Sequence, residues 1–311
     1  MFYGNIGLTE QVDAAAWAIV VLTPAESKRL IAKAVAVLPE VKKALTSGRM
    51  IISEGTTNAY VIEELLGIPM PRETYACGVI AGGGLSAIPT EVRIMPYLLK
   101  CGKPLDTRPP EEQRLKSETI VEDAGWVHPK ANWELHAELI KEFEADDVLI
   151  KGATAVDQWG NAGVFVAEGD GGSIGRDLPI TVARGSHLIV PVGLEKLIPS
   201  VAEASKSCGS QRFKYSFGFC PGVMPLINAK VVTEVQALKI LTGVTAIHVG
   251  SGGVGGSEGS VVLSLGGKEE VVDQAFELVK SIKGEPPTPM PSLIRGIPPE
   301  MRFVRFIPFQ T

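Results

Sequence analysis

The sequence predicts an α/β protein: a mainly parallel sheet with helices on both faces, followed by a smaller α+β unit. Three observations lead there. Aromatic residues are only 6% of the 311, while Gly and Val are abundant, which favours buried parallel strands flanked by helices over an aromatic-rich sandwich. Short all-apolar runs, Met50-Ile51-Ile52, Val148-Leu149-Ile150 and Leu188-Ile189-Val190, alternate with segments of helical periodicity. The C-terminal third then changes to a βαββα order.

The elements follow in chain order. Residues 24–47 read as a helix: Thr23, Pro24 and Glu26 form a capping box with Pro at the first position, and Leu30, Ile31, Val35, Leu38, Val41 and Leu45 recur on one face. Pro39 is expected to kink or split it. A strand over 49–53 runs into the turn Glu54-Gly55-Thr56-Thr57-Asn58 and a helix ending at Gly67. A strand and glycine loop cover 76–84, and the charged, Pro-rich segment 103–122 reads as a surface excursion. Residues 132–145 form a helix and 148–150 a strand that leads into Lys151 to Asp157. Gln158 to Asn161 is a turn. Val164–Val166 is a strand before the loop Glu168–Gly175. A helix opens after Pro179, and 187–192 is a buried strand. The βαββα run is a strand over 230–233, a helix over 234–241, strands over 245–249 and 260–265, and an amphipathic helix over 268–283. A last strand at Val304-Arg305-Phe306-Ile307 could close it. That order points to a ferredoxin-like unit, with 285–299 as a Pro-rich strap. The expected division is a domain over 1–222 and a small one over 223–311.

Composition limits the function. A formal charge of −5 and a pI near 5.6, with no basic run, give no footprint for nucleic acid. The apolar stretch Ala14–Leu22 is too short for a bilayer span of about 20 residues. The first dozen residues carry no Lys or Arg, unlike a signal peptide. Cys77, Cys101, Cys208 and Cys220 lack Cys-x-x-Cys spacing and read as reduced thiols in a cytoplasmic protein. The four His are scattered, so neither a metal nor a cofactor is expected.

The candidate chemistry lies in glycine turns. Glu54, Gly55, Thr56, Thr57 and Asn58 join a strand to a helix, where backbone N–H groups and the helix dipole favour an anion. The alternative is that Thr57 or Asn58 caps the helix. Gly82 and Gly83 line a second loop. In Glu168-Gly169-Asp170-Gly171-Gly172-Ser173 the glycines leave room for a ligand and either carboxylate could serve as a base; the alternative is a solvated turn. Lys151 and Asp157 bracket a strand end and could orient a carbonyl or move a proton; they could equally form a surface ion pair and a turn cap. The stretch Gly250–Gly259 has Gly-x-Gly spacing but lacks the following helix of a dinucleotide fingerprint. It could close as a lid or be a long hairpin loop. Neither Cys208 nor Cys220 has an assignable base.

The turn Glu54 to Tyr60 resembles the sugar-phosphate turn of ribose-5-phosphate isomerase type A. Ile150-Lys151-Gly152-Ala153-Thr154-Ala155-Val156-Asp157 is similar to that family's Asp-Gly-Ala-Asp-Glu-Val-Asp strand end, and Gly169-Asp170-Gly171-Gly172 to its Lys-Gly-Gly-Gly-Gly loop. The resemblance covers about residues 24–200. It implies a Rossmann-like core of the NagB/RpiA/CoA-transferase-like superfamily. Lys151 and Thr154 stand where the family has Asp, Asp157 matches the last one, and the loop Lys is absent. What the resemblance implies is an enzyme on a phosphorylated or carboxylated small metabolite, by isomerisation. Glu168 or Asp170 would be the base, Asp157 and Lys151 the orienting groups, and the 54–58 turn with Gly171, Gly172 and Ser173 the cradle. A non-catalytic metabolite sensor and CoA-ester chemistry through a glutamate are the alternatives. A homo-oligomer is expected.

Overall fold

The computed structural model describes residues 14–89, 93–105 and 129–291. In chain order the elements are β1 (Ala16–Leu22), α1 (Pro24–Val37), α2 (Pro39–Ser47), β2 (Arg49–Ile52), α3 (Thr56–Leu66), β3 (Gly78–Ala81), β4 (Gly84–Ala87), β5 (Tyr97–Lys100), β6 (Lys103–Pro104), α4 (Pro129–Lys141), β7 (Val148–Ile150) and β8 (Ala155–Val156). There follow β9 (Ala162–Val166), α5 (Gly172–Arg184), β10 (His187–Pro191), α6 (Val201–Ser207), β11 (Gly222–Leu226), β12 (Ala229–Val232), α7 (Glu234–Thr242), β13 (Thr245–Gly252), β14 (Ser260–Gly267) and α8 (Glu269–Ser281). The expected strand at 304–307 and most of the segment 103–122 lie outside the described residues.

The main sheet has six strands in the order β12-β10-β7-β2-β5-β6. β2, β7, β10 and β12 run parallel, while β5 and β6 add an antiparallel margin. The sheet is therefore mixed. Its parallel strands are apolar throughout because both faces are covered. Met50, Ile52, Val148, Ile150 and Ile189 point into one core with α1, α2, α3 and α7. Ile51, Leu149, Leu188 and Val190 point into the other with α4 and α5.

The first helix is two helices. Pro39 holds Leu38 in an extended conformation (φ −59°, ψ 135°), so α1 stops at Val37 and α2 restarts on the proline. The capping box is present: Glu26 N–H donates to Thr23 Oγ1 at 3.4 Å and Thr23 N–H to Glu26 Oε2 at 2.9 Å. α5 opens at Gly172, well before Pro179, which lies inside it. The Asp170 carboxylate accepts the Gly172 N–H at 2.9 Å and starts the helix there.

The smaller sheet is antiparallel, in the order β1-β14-β13. Two strands pair across the expected boundary at residue 222. β12, read as the first strand of the small unit, joins the main sheet beside β10. The burial of Val231 in one core and Val232 in the other explains this, since a strand covered on both faces suits the interior of the large sheet. β1 takes an edge of the small sheet instead. Val20 and Leu22 face inward toward α8, whereas Trp17, Ile19 and Val21 face out. The Trp17 ring lies on Gly266, where a Cβ would come within 2.7 Å. A third sheet, β11-β9-β8, and the hairpin β3–β4 complete the chain. No helix among the described residues is long and apolar enough to cross a membrane.

Candidate functional site

The parallel strands β2 and β7 end side by side, and the pairing continues just past them. Ser53 N–H donates to Ile150 O and Lys151 N–H to Ile189 O, each at 2.9 Å. The two following turns therefore meet at the carboxyl edge of the sheet, where open α/β sheets hold their ligands. A Cβ on Gly152 would lie 3.8 Å from Asn58 Nδ2 and 4.0 Å from Gly55 Cα, so the β7 turn rests directly on the β2 turn.

The turn after β2 is anchored from within. Gly55 N–H donates to Tyr75 O at 2.8 Å, and Asn58 Nδ2 to Ser53 O at 2.7 Å. Gly55 is the N-cap of α3, and no side chain caps the helix. Thr56, Thr57 and Asn58 lie inside its first turn, so neither Thr57 nor Asn58 is the cap. The first N–H groups of a helix have no intrahelical acceptor. Here they point toward the sheet edge with the positive end of the dipole.

Lys151 spans from this turn to α5. Its side chain is buried, and its Nζ lies 3.4 Å from Ser173 Oγ in the first turn of that helix. Gly171 (φ +84°) and Gly172 (φ +60°) shape the approach to that turn. Glu168 folds back over it: a Cβ on Gly172 would meet Glu168 Oε2 at 3.2 Å. Asp170 spends one oxygen on the Gly172 N–H.

Two residues that the sequence reading did not select complete the cluster. Arg93 Nε lies 3.5 Å from Glu54 Oε1, and Arg93 Nη1 donates to the Cys77 sulfur. Glu54 and Arg93 are each only 9% exposed, yet neither Glu54 Oε1 nor Arg93 Nε has a hydrogen-bond partner among the described residues. Ser53 Oγ and Asn58 Oδ1 are buried and unpartnered in the same turn. The Ser53 and Asn58 oxygens cost roughly 1–3 kcal/mol each when left unmet, whereas Glu54 Oε1 and Arg93 Nε compensate each other's charge. Cys77 is an exposed residue, but desolvation by the surrounding protein pushes its thiol above the usual range. Arg93 and Lys151 pull it down, and Glu54 and Glu168 push it up. All four charges therefore act on one sulfur.

The other expected residues lie elsewhere or do other work. Asp157 is buried in its own turn. Its carboxylate accepts the N–H groups of Trp159, Asn161 and Val201 and the Asn161 amide, at 3.0–3.1 Å. Burial alone would raise its pKa, but these donors hold it below the usual carboxylate value. It organises the strand end and is not brought to Lys151. Gly82 (φ +59°) and Gly83 (φ +79°) form the exposed two-residue tip of the β3–β4 hairpin, as such turns require. The glycine-rich loop after β13 comes back at Gly259, whose Cβ would lie 3.5 Å from Glu195 Oε2. Lys196, next in the chain, donates to Ala153 O at 3.0 Å. The base of that loop thus stands two side chains away from the β7 turn. Cys220 is buried and Cys208 half-buried, and neither joins the cluster.

A site of this composition offers two cations, two carboxylates, a thiol and a helix terminus around one edge. It can hold an anion and move a proton. No protein-family model matches the chain, and no curated protein or solved structure matches it either.

Proposed function

We propose that the carboxyl edge of β2 and β7 binds a small phosphorylated or carboxylated metabolite, and that the protein is an enzyme acting on it by carbon-to-carbon proton transfer. One observation carries this reading: the buried Lys151 ties the β7 turn, which rests on the uncapped start of α3, to Ser173 in the first turn of α5. An anion placed there meets an ammonium group and a helix N-terminus together. In this reading the six-stranded sheet is the Rossmann-like core of the superfamily that the sequence resembles. The ferredoxin-like unit is built from α7, β13, β14 and α8, with β1 in the place expected for β12.

The roles narrow accordingly. Asp157 is engaged by its own turn and Asp170 by Gly172, so the base is Glu168, with Lys151 polarising the substrate oxygen. Thermal denaturation with a panel of phosphorylated and carboxylated metabolites tests the binding half. Stabilisation by a hit is expected to disappear in Lys151→Gln; equal stabilisation of that variant would sink the cradle. Product analysis on the same hits tests the enzyme half. Binding without turnover would leave a sensor, a reading that draws on Lys151 and Thr154 standing where the isomerase has acids. The buried Glu54, whose Oε1 has no hydrogen bond among the described residues, favours a further reading, CoA-ester chemistry, in which a thioester substrate would leave a covalent mass adduct on Glu54.

A further inference from the structure

The cluster around Cys77 goes beyond a cradle for a passive anion. Arg93 faces two ways: Nη1 donates to the Cys77 sulfur, and Nε, buried and without a hydrogen bond among the described residues, lies in an ion pair 3.5 Å from Glu54 Oε1. Lys151 adds a second positive charge that acts on the same sulfur, against the negative charges of Glu54 and Glu168. Cys77 is an exposed residue, although desolvation by the surrounding protein is the largest influence on its thiol. A guanidinium that donates to a thiol, with its Nε short of a full hydrogen bond, places positive charge where it can draw small anions toward the sulfur.

We propose that Cys77 is a modification site within the anion site: Arg93 draws small carboxylate-bearing electrophiles onto its sulfur, and the resulting S-adduct occupies the place of the bound metabolite. In the simplest case the sulfur attacks a carbon bearing a halide. The S–C bond forms as the C–halogen bond breaks, the halide leaves with the bonding pair, and the thiol proton passes to the buffer. The proposal rests on reading this edge as an anion site.

The test compares two alkylating reagents of similar size, the anionic iodoacetate and the neutral iodoacetamide. Rates at Cys77 are measured by peptide mass spectrometry, with 2-mercaptoethanol in the same buffer as a neutral reference. Both reagents need the thiolate, so the raised thiol pKa slows them equally and cancels in the ratio. At low salt the iodoacetate-to-iodoacetamide ratio at Cys77 is expected to exceed the reference by about tenfold, and to shrink as salt screens the field. Arg93→Gln is expected to return it to the reference, and Arg93→Lys to keep most of it. A wild-type ratio equal to the reference overturns the proposal, whatever the variants do. So does a raised ratio that Arg93→Lys loses and Arg93→Gln keeps.

The ratio is measured with no metabolite present. A failed thermal-shift screen would therefore remove the proposed function and leave the steering intact, and a flat ratio would do the reverse. Carboxymethylated protein is further expected to lose stabilisation by any hit of that screen; full stabilisation after stoichiometric Cys77 labelling would show that the adduct lies outside the site and overturn that half.

Discussion

Asn58 Nδ2 donates to the Ser53 carbonyl at 2.7 Å, entirely inside the protein, and so fastens the first turn of α3 to the end of β2. The bond spans the turn that carries Glu54 and Gly55. The shape of the anion edge therefore depends on a side chain that never meets solvent. Asn58→Ala should leave the Ser53 carbonyl without that donor and lower stability by about 1–3 kcal/mol in denaturant unfolding. Asn58→Asp should be worse, because a carboxylate would then face the carbonyl. An unchanged midpoint in both would show that the turn is held by the Gly55–Tyr75 bond alone.

Asp157 should matter for folding and not for chemistry. Its carboxylate answers three backbone N–H groups and one amide. Its pKa is lowered in the folded state, so its contribution is complete above the unfolded value of about 4 and is lost as pH falls through the folded one. Asp157→Asn should cost about 2 kcal/mol or more at neutral pH, with the gap to wild type closing in acid. A gap that is the same at every pH would contradict this.

A second carboxylate, Glu63, holds the strap that follows α8. Arg72 binds it at 2.9 Å and Arg29 at 2.5 Å, and both arginines also bind Glu285. Both guanidinium groups lie over the ring of the buried Tyr60. Burial works against the charged forms of Glu63 and Glu285, but the arginine hydrogen bonds win and lower both pKa values. Glu63→Gln should therefore destabilise by about 2–4 kcal/mol at neutral pH. Protease should then cut first near residue 285, since the two arginines that hold Glu285 have lost the carboxylate that braces them. Cleavage elsewhere, with 285 still protected, would argue against the clamp.

For the enzyme reading, Glu168→Gln should keep metabolite binding and abolish turnover. With wild type in D2O, proton transfer should exchange a substrate C–H for C–D, visible by NMR. Exchange that persists in Glu168→Gln would move the base to another group.

Much of the fold is legible because local rules set it. The Thr23–Glu26 box, the restart at Pro39 and the buried triplets of β2 and β7 each follow from a few neighbouring residues. The partners of β1 and β12 do not. Both are short apolar strands, and which sheet takes each depends on whether one face or two must be covered, a property of the assembled layers. The site divides in the same way. Glu54, Lys151 and Ser173 belong to turns with local signatures. Cys77 and Arg93 belong to none; they arrive because the chain doubles back. Ile88 N–H donates to Cys77 O and Ile94 N–H to Thr74 O, while Tyr75 O holds the Gly55 N–H. Spacing along the chain carries no trace of that return path.

The place of β1 has a consequence for how the protein is made. Ala16–Leu22 pairs with Val261–Gly267, so the two halves of that ladder leave the ribosome some 240 residues apart. The large sheet can form its β2–β7–β10–β12 pairs as the chain emerges, each with a neighbour already synthesised. β1 must wait, with Trp17, Ile19 and Val21 on one side and Val20 and Leu22 on the other all uncovered. At translation speeds of roughly 5–20 residues per second, that wait lasts more than ten seconds. The small sheet is thus the last part of the nascent chain to close, and β1 is the segment a holding chaperone would meet.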